Sequence, residues 1–443
     1  MEIPKPLKSD FEPEITKAFN MAAQSVEQSP TPRNWARLAA IYHAHQELNA
    51  AIAAYQQAVY LGDAHSRTAH LLAMALDEVG DRDEAIASME RAAALKPYSQ
   101  PSQWRLAQWK FEAGEDAEAE QIFLDAYNNN SEDKLTLQAT AKYLIDSGQP
   151  KKAIGPLVKL IKISPTNRYA RFLLGTAMQR SGTQADDAKS FLEVGRHAKP
   201  SWTDVHMQAL SQLTTGPRAD FLRLVQRSNS GKARESIAAL ESLEPRLGDD
   251  PGYHIEVCKC LRQIGSYAKA HAAIEKALAI EPGNFRATYQ QAGLIRDDWI
   301  SMGKPEGHAL LEKALEKSDH TIGLNPTNAP SHALRAQVLE DMGRFEESYQ
   351  SWMEADRLDR ADQRFSYQGA RTILQSGDRD RGIELLGIYC DRFPLHHAAR
   401  KQLGLEQWKG GDSINAQRNL SMASQGLPGD PEIRQAIDAM SRQ

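Results

Sequence analysis

Three pairs of side chains have types that could bind a metal ion: Cys258 with Cys260, His43 with His45, and His396 with His397. Residues two apart on a helix point to nearly opposite sides, so neither the cysteine pair nor the first histidine pair can converge on one ion. Cys258 also stands where corresponding segments carry alanine, which favours packing. The adjacent histidines stand at a predicted turn and are a weak indication of a metal. We predict no metal site and no cofactor.

An acidic string, GDRD, occurs at Gly80–Asp83 and again at Gly377–Asp380. Such a string could suggest a site for a sugar nucleotide. Both copies directly precede a predicted helix, where carboxylates satisfy free N–H groups, and we therefore interpret them as caps. The sequence also lacks a phosphate-binding loop, a dinucleotide fingerprint, an H-E-x-x-H motif and paired C-x-x-C motifs. We predict that the chain is not an enzyme.

The composition excludes several other classes of protein. The 443 residues carry 53 basic and 58 acidic side chains, for a net charge of −5, which disfavours bulk binding of nucleic acid. No stretch approaches the roughly 18 unbroken apolar residues of a membrane span, and the start of the chain, Met1–Lys8, lacks an apolar signal region. Three cysteines cannot form a disulfide framework, so we expect a reducing, cytoplasmic location.

Glycines recur along the chain with a spacing of 34 residues. The spacing joins Gly80, Gly114, Gly148 and Gly182, then Gly231 and Gly265, and finally Gly343, Gly377 and Gly411. A fixed period of this length is the mark of a repeat protein. Two insertions interrupt it, one of fifteen residues within Ser201–Gly216 and one of ten around Ile300–Leu311.

Each period has the pattern of two helices. In the best-formed unit, apolar residues recur at helical spacing through Tyr253–Ile264, and Gly265 then ends the first helix. A second helix follows and ends before Pro282, whose ring cannot continue it. We expect helix–turn–helix hairpins and no strands.

The second helices repeat a small, large, small set, and the first helices repeat a large residue followed by a small one. The second-helix sets are Ala51/Tyr55/Ala58, Ala85/Met89/Ala92, Ala119/Phe123/Ala126 and Ala416/Leu420/Ala423; the first-helix pairs are Leu38/Ala39, Leu72/Ala73, Leu106/Ala107, Leu174/Gly175 and Leu403/Gly404. With Trp35 and Tyr42 in the first unit, the chain resembles the tetratricopeptide repeat family. The resemblance implies an all-α fold, a right-handed α-α superhelix (solenoid) of stacked antiparallel helix pairs.

We count about eleven repeats covering residues 32–430, starting near 32, 66, 100, 134, 168, 217, 251, 285, 329, 363 and 397. The one at 217 fits least well. The predicted domains are an N-terminal arm with a leading helix (1–31, helix Phe11–Glu27), five repeats (32–202), an insertion or short extra helix (203–216), six repeats (217–430, with an insertion near 300–311) and a capping helix (431–443, helix Pro431–Arg442). The ten-residue insertion is consistent with two structures, longer helices or a bulging loop.

The resemblance implies that the first helix of each pair lines a concave surface whose outward residues contact a partner. The predicted partner-binding residues are His70, Trp104, Gln108, Phe111, Lys142, Tyr169, Phe172 and Arg180 in the first half, and Lys259, Arg262, Tyr289, Arg296, Tyr367 and Arg371 in the second, with Met74 and Arg364 beside them. Two alternatives stay open: that Trp104 and Phe172 pack between repeats, and that the basic residues are ordinary solvated charges.

The sequence is consistent with three candidate functions. We favour a non-catalytic scaffold or adaptor that binds a protein or peptide in the concave groove. The alternative is a regulatory or accessory subunit that acts on a separate catalytic chain. The third, an enzyme or nucleic-acid binder, is disfavoured because no basic position recurs in every repeat. Self-association stays open, and the Lys/Asn carboxylate clamp of chaperone-binding relatives is absent.

Overall fold

A computed structural model describes residues 2–8, 10–95, 99–129, 132–183, 185–195, 198, 200, 204–305, 309–360, 362–394 and 396–441. These residues form α-helices, turns and one π-helical turn, with no strand among them. The chain divides into two compact units, unit 1 (Met1–Leu222) and unit 2 (Arg223–Gln443). The predicted all-α fold of stacked helix pairs is confirmed.

Unit 1 begins with a single helix and continues with helix pairs. Its helices are α1 (Pro13–Gln28), α2 (Pro32–Ala44), α3 (Leu48–Tyr60), α4 (Ser66–Glu78), α5 (Arg82–Ala94), α6 (Gln100–Glu112), α7 (Asp116–Asn129), α8 (Lys134–Asp146), α9 (Pro150–Ile163), α10 (Arg168–Ser181), α11 (Ala185–Gly195) and α12 (Val205–Ser211). The pairs are α2/α3, α4/α5, α6/α7, α8/α9 and α10/α11, and the second helices α3, α5, α7 and α9 also pack on the next first helix.

The boundary between the units lies within α13 (Pro217–Arg227), which the π-helical turn Ser228–Lys232 follows. The helices of unit 2 are α14 (Ala233–Glu241), α15 (Glu244–Leu247), α16 (Pro251–Gln263), α17 (Tyr267–Ile280), α18 (Phe285–Ser301), α19 (Ala309–Leu324), α20 (Ala329–Asp341), α21 (Phe345–Leu358), α22 (Gln363–Gln375), α23 (Arg379–Arg392), α24 (His397–Lys409), α25 (Ser413–Ser424) and α26 (Pro431–Met440). The first helix of every predicted repeat thus begins at the predicted residue number.

Many first helices begin after a residue whose side chain accepts a hydrogen bond from the first turn. Asn167 accepts from the Ala170 N–H at 2.9 Å, and Asn284 accepts from the Ala287 N–H at 3.0 Å. The same kind of cap precedes other first helices, at Thr31, Asp133, Asp250, Asn328 and Asp362. These caps satisfy N–H groups that have no partner within the helix, and they therefore help to set where these repeats start.

The glycines of the 34-residue period all lie in the turn after a first helix, and all nine have positive φ. Only glycine adopts this conformation without a steric cost, which explains the spacing. In the first repeat the equivalent position is Gln46, which also has a positive φ, of 62°.

The small, large, small positions form the core of each pair. Ala51, Tyr55 and Ala58 of α3 have no exposed surface, and the corresponding residues of α5, α7 and α25 are also buried. Alanine at the outer positions lets the helices approach closely, and the larger residue fills the space between them.

The two insertions contain helical structure. Within the first, α12 spans Val205–Ser211, while residues 201–203 lie outside the described part of the chain. At the second, α18 has 17 residues and α19 has 16, so both helices exceed the 13 and 14 of the neighbouring α16 and α17. Residues 306–308 of that insertion lie outside the described residues.

Two predicted helix boundaries shift at the ends of the chain. The leading helix is Pro13–Gln28 instead of Phe11–Glu27, because the proline occupies the first turn, where its missing N–H costs nothing. The last helix ends at Met440, and Arg442 of its predicted range lies outside the described residues.

Candidate partner-binding site

Several first helices of neighbouring pairs contact one another directly, and we call the surface of the first helices in each unit its first-helix face. In unit 1 this face consists of α2, α4, α6, α8 and α10, with contacts between α2 and α4, α6 and α8, and α8 and α10. In unit 2 it consists of α16, α18, α20, α22 and α24, with contacts between α16 and α18 and between α18 and α20. The predicted partner-binding residues all lie on these helices.

In unit 1 the structure separates the predicted residues into buried and exposed ones. His70 has no exposed surface and Trp104 is 1% exposed, so both lie in the packed interior instead of on an open wall. Tyr169 is also buried, whereas Gln108, Phe111 and Lys142 are half-buried and Arg180 is exposed. Of the two aromatic residues left open above, Trp104 is core, while Phe172 stays 37% exposed.

His70 is buried because α12 covers it. Its Nε2 lies 2.7 Å from Oδ2 of Asp204, the residue that caps α12, and its Nδ1 lies 2.9 Å from the Ser102 hydroxyl. Burial opposes ionisation of Asp204, but the hydrogen bond and charge of His70 outweigh it and lower the pKa of that carboxyl. The network continues from Ser102 to Ser99 at 2.9 Å and from Ser99 to His206 Nε2 at 2.8 Å.

Four predicted residues lie on α6, α8 and α10 of the same face. We call them the aromatic patch: Phe111, Lys142, Tyr169 and Phe172. The Tyr169 and Phe172 rings stack with centroids 6.3 Å apart, while Phe111 meets the edge of Tyr143 at 5.4 Å. Burial raises the pKa of Tyr169, and the nearby Lys142 ammonium opposes that rise. Lys142 forms an ion pair with Asp146. The patch therefore combines an exposed ring with a paired charge.

In unit 2, three of the four predicted basic residues are bonded to carboxylates, while Arg371 donates to the Gln368 side chain. Arg262 of α16 donates to Asp297 of α18 at 2.9 Å, and Arg296 of α18 donates to Asp341 of α20 at 2.5 Å. Lys259 pairs within α16 with Glu256 at 2.8 Å. Most of the predicted basic residues of unit 2 are thus paired with carboxylates of the same unit.

The sequence analysis does not predict Asp297 and Asp341 as partners of the arginines, although their distance along the chain indicates it. Asp297 follows Arg262 by 35 residues, one repeat period plus one. Asp341 follows Arg296 by 45, the same step lengthened by the ten-residue insertion. An arginine and an aspartate separated by about one repeat therefore indicate an ion pair between neighbouring first helices.

The other predicted residues of unit 2 are half-buried. Burial raises the pKa of Tyr289, against the effect of nearby Arg262 and Arg364. Tyr367 donates to the Gln402 side chain at 2.6 Å, and the Arg371 guanidinium lies 5.9 Å from the Tyr367 ring centroid. The aromatic and basic side chains of α22 thus lie together, next to α24.

The cysteines and histidines singled out in the sequence have packing or capping roles. Cys258 and Cys260 are buried, and burial raises the pKa of the Cys258 thiol to about 11. His396 caps α24 by accepting from the Ala399 N–H at 3.1 Å. Within the described residues, no group of three or more His, Cys, Asp or Glu side chains is arranged to hold a metal ion. Nor does any helix among them have the length and apolar character to cross a membrane.

A sequence model of the tetratricopeptide repeat matches residues 32–61 and 66–99, which contain the pairs α2/α3 and α4/α5. The two matched pairs are therefore tetratricopeptide repeats, and helix pairs of the same kind continue through the described residues of both units. No curated protein sequence matches the chain significantly.

Several solved structures show a low level of similarity to the chain. YrrB, a tetratricopeptide repeat protein with an unusual peptide-binding site, is 16% identical with a TM-score of 0.35, and the match covers 46% of this chain and 98% of YrrB. The pilus biogenesis factor PilW is 12% identical with a TM-score of 0.42, covering 50% and 98%. The human IFIT1 dimer with m7Gppp-AAAA is 13% identical with a TM-score of 0.38, covering 98% and 95%. At these values the likeness concerns the repeat architecture alone.

Proposed function

We propose that the protein is a non-catalytic scaffold or adaptor that binds a peptide or partner protein on its first-helix faces. The observation that carries this proposal is the aromatic patch of unit 1. Phe172 leaves 37% of its surface exposed on a first helix, stacked on Tyr169 and close to the helix that carries Lys142. Aromatic side chains on such surfaces are common anchors of protein interfaces. A cytoplasmic location accompanies the proposal, since the three cysteines are buried thiols.

The ion pairs of unit 2 favour a protein partner over a nucleic acid. Binding to a phosphate backbone depends on basic side chains that are free to neutralise phosphates and so displace the counterions of the nucleic acid. Arg262 and Arg296 are already bonded to Asp297 and Asp341 and are about a fifth exposed. A phosphate would have to compete with these carboxylates.

Affinity purification of the intact protein from its host tests the proposal. We expect Phe172→Ala to remove at least one partner that the wild-type protein retains, because the substitution removes the exposed ring and leaves the buried Tyr169 in place. Partners are identified and quantified by mass spectrometry. Loss of tenfold or more of a partner would support the proposal.

The matched control is Tyr60→Ala, which removes an aromatic ring that is 78% exposed at the end of the second helix α3. This variant should retain every partner. Circular dichroism checks that both variants are folded. The proposal is wrong if a double variant, Phe172→Ala with Arg371→Ala, keeps all partners at wild-type amounts.

A further inference from the structure

The helix α12 lies on the first-helix face of unit 1, in contact with α2 and α4. Its Leu210 is 4% exposed and belongs to the apolar cluster that α1–α6 form. Met207 and Leu213 pack against the same cluster from the side. A short segment of the chain therefore lies where the repeat fold offers a surface to a partner.

The surface beneath α12 favours a carboxylate at one end. The His70 imidazole has no exposed surface and bonds Asp204 through Nε2 and Ser102 through Nδ1. Two arginines add positive charge near Asp204. Burial lowers the pKa of Arg105 of α6, and the charge of Asp204 opposes this change. Burial and the charge of His70 lower the pKa of His206, and the charge of Arg67 of α4 adds to this effect. Asp204 in turn caps its own helix, accepting from the His206 N–H at 2.8 Å.

The other end of the segment is held by weaker contacts. Both the N–H and the hydroxyl of Thr215 lie 3.3 Å from Nε2 of His45. Between the two ends, α12 presents an apolar residue six positions after its cap, Leu210 after Asp204. We call the side chains of His70, Ser99 and Ser102, together with the apolar surface that Leu210 contacts, the α12 seat.

The α12 segment should leave its seat more easily than the neighbouring helix α4 leaves the core. It has seven residues, of which only Leu210 is buried, whereas the neighbouring α4 buries eight of thirteen. A helix this short is unstable by itself in water, so it forms only while docked. Segments with few buried contacts open at lower free energy than the core around them.

We propose that the α12 seat is a binding site for a short amphipathic helix with a carboxylate at its N-cap and an apolar residue six positions later, and that α12 is its intramolecular occupant. A partner segment of the same chemistry displaces α12 and takes the seat. This proposal rests on the proposed scaffold function, since it names one surface and one class of ligand for it.

A peptide with the sequence of residues 204–216 is the probe. Fluorescence anisotropy measures its binding to the wild-type chain and to a full-length variant in which residues 204–213 are replaced by a Gly/Ser linker of equal length. We expect saturable binding to the linker variant and at least tenfold weaker binding to the wild type, where α12 competes at high effective concentration. The control peptide with Asp204→Asn should bind the linker variant at least tenfold more weakly.

A second variant keeps the test decisive if the linker variant does not fold. Asp204→Asn in the full chain changes no volume and weakens the intramolecular contact, so it should bind the wild-type peptide more tightly than the unmodified chain does. Hydrogen exchange should show faster exchange of the amides of 206–211 in this variant, while those of α4 keep their protection.

Three outcomes would overturn the proposal: a folded linker variant that does not bind the peptide, equal binding of the two peptides, or equal binding to the Asp204→Asn and wild-type chains. None of these outcomes concerns the aromatic patch. The partner experiment with Phe172→Ala can therefore succeed or fail separately, and the two failures are distinguishable.

Discussion

His43 is the clearest case of a single buried residue that controls stability. Its imidazole has no exposed surface, with the Tyr55 hydroxyl 3.5 Å from Nδ1 and a Glu78 oxygen 3.7 Å from Nε2. Burial lowers its pKa from 6.5 to about 4, so desolvation outweighs the neighbouring carboxylate. Between these two pH values the unfolded chain binds a proton that the folded chain does not.

We predict that acid destabilises unit 1 through His43. The stabilising effect of neutral His43 is present above pH 6.5 and is lost as the pH falls toward 4, which lowers the free energy of unfolding by about 2 kcal/mol between pH 7 and 4.5. Urea unfolding of the wild type and of His43→Gln at both pH values measures the difference. The same loss in both proteins would show that His43 is not responsible.

Two glycines on neighbouring helices should respond in opposite ways to alanine. A Cβ at Gly175 of α10 would lie 2.8 Å from the Leu192 backbone nitrogen and 2.9 Å from the Ala188 carbonyl oxygen of α11, whereas a Cβ at Gly155 of α9 would meet nothing within 4 Å. We expect Gly175→Ala to destabilise the protein by about 2 kcal/mol and Gly155→Ala to stabilise it by about 0.5–1 kcal/mol. Denaturant midpoints measure both, and equal effects would contradict the close approach of α10 and α11.

At the scale of the helices, charge pairs join neighbouring repeats in addition to the apolar core. Arg262 and Asp297 link α16 to α18 with side chains that are 22% and 24% exposed. Arg262 also donates to Gln290 of α18 at 2.6 Å. Because both charges are partly shielded from water, the pair is worth more than an ion pair on an open surface.

We predict a measurable coupling between these two helices. A double-mutant cycle with Arg262→Met and Asp297→Asn should give a coupling free energy of about 1 kcal/mol, from urea unfolding of the four proteins. A coupling of zero would mean that the arginine is only a solvated charge, as one alternative reading of the sequence holds. The exposed pair Arg227–Glu235, at 52% and 58% exposure, serves as the control and should couple more weakly.

The helices also show why part of the structure could be predicted. The starts of the first helices follow from a local pattern, because turn glycines and caps recur at fixed positions in most repeats. Lys110 shows the limit of the pattern: it stands where an apolar residue is usual, and it is buried among Glu90, Glu115 and Glu118. The Lys110 ammonium donates hydrogen bonds to these carboxylates, and these bonds, led by the one to Glu115, raise its pKa.

At the scale of the molecule, the features that the sequence left hidden depend on residues far apart in the chain. His70 and Asp204 are separated by 134 residues, and no repeat period relates them. The burial of His70 therefore could not be predicted from its place in a repeat, which would put it on an open face. The aromatic patch was predictable in position, since Phe172 occupies a face that the repeat pattern defines.

The central claim is that the protein holds a partner on its first-helix faces. The most direct measurement is hydrogen exchange of the purified protein with and without the partner that affinity purification identifies. We predict that binding protects the amides of α8 and α10, next to the aromatic patch, and leaves the second helices α3 and α5 unchanged. Protection confined to second helices, or no protection in a complex that is fully formed, would contradict the claim.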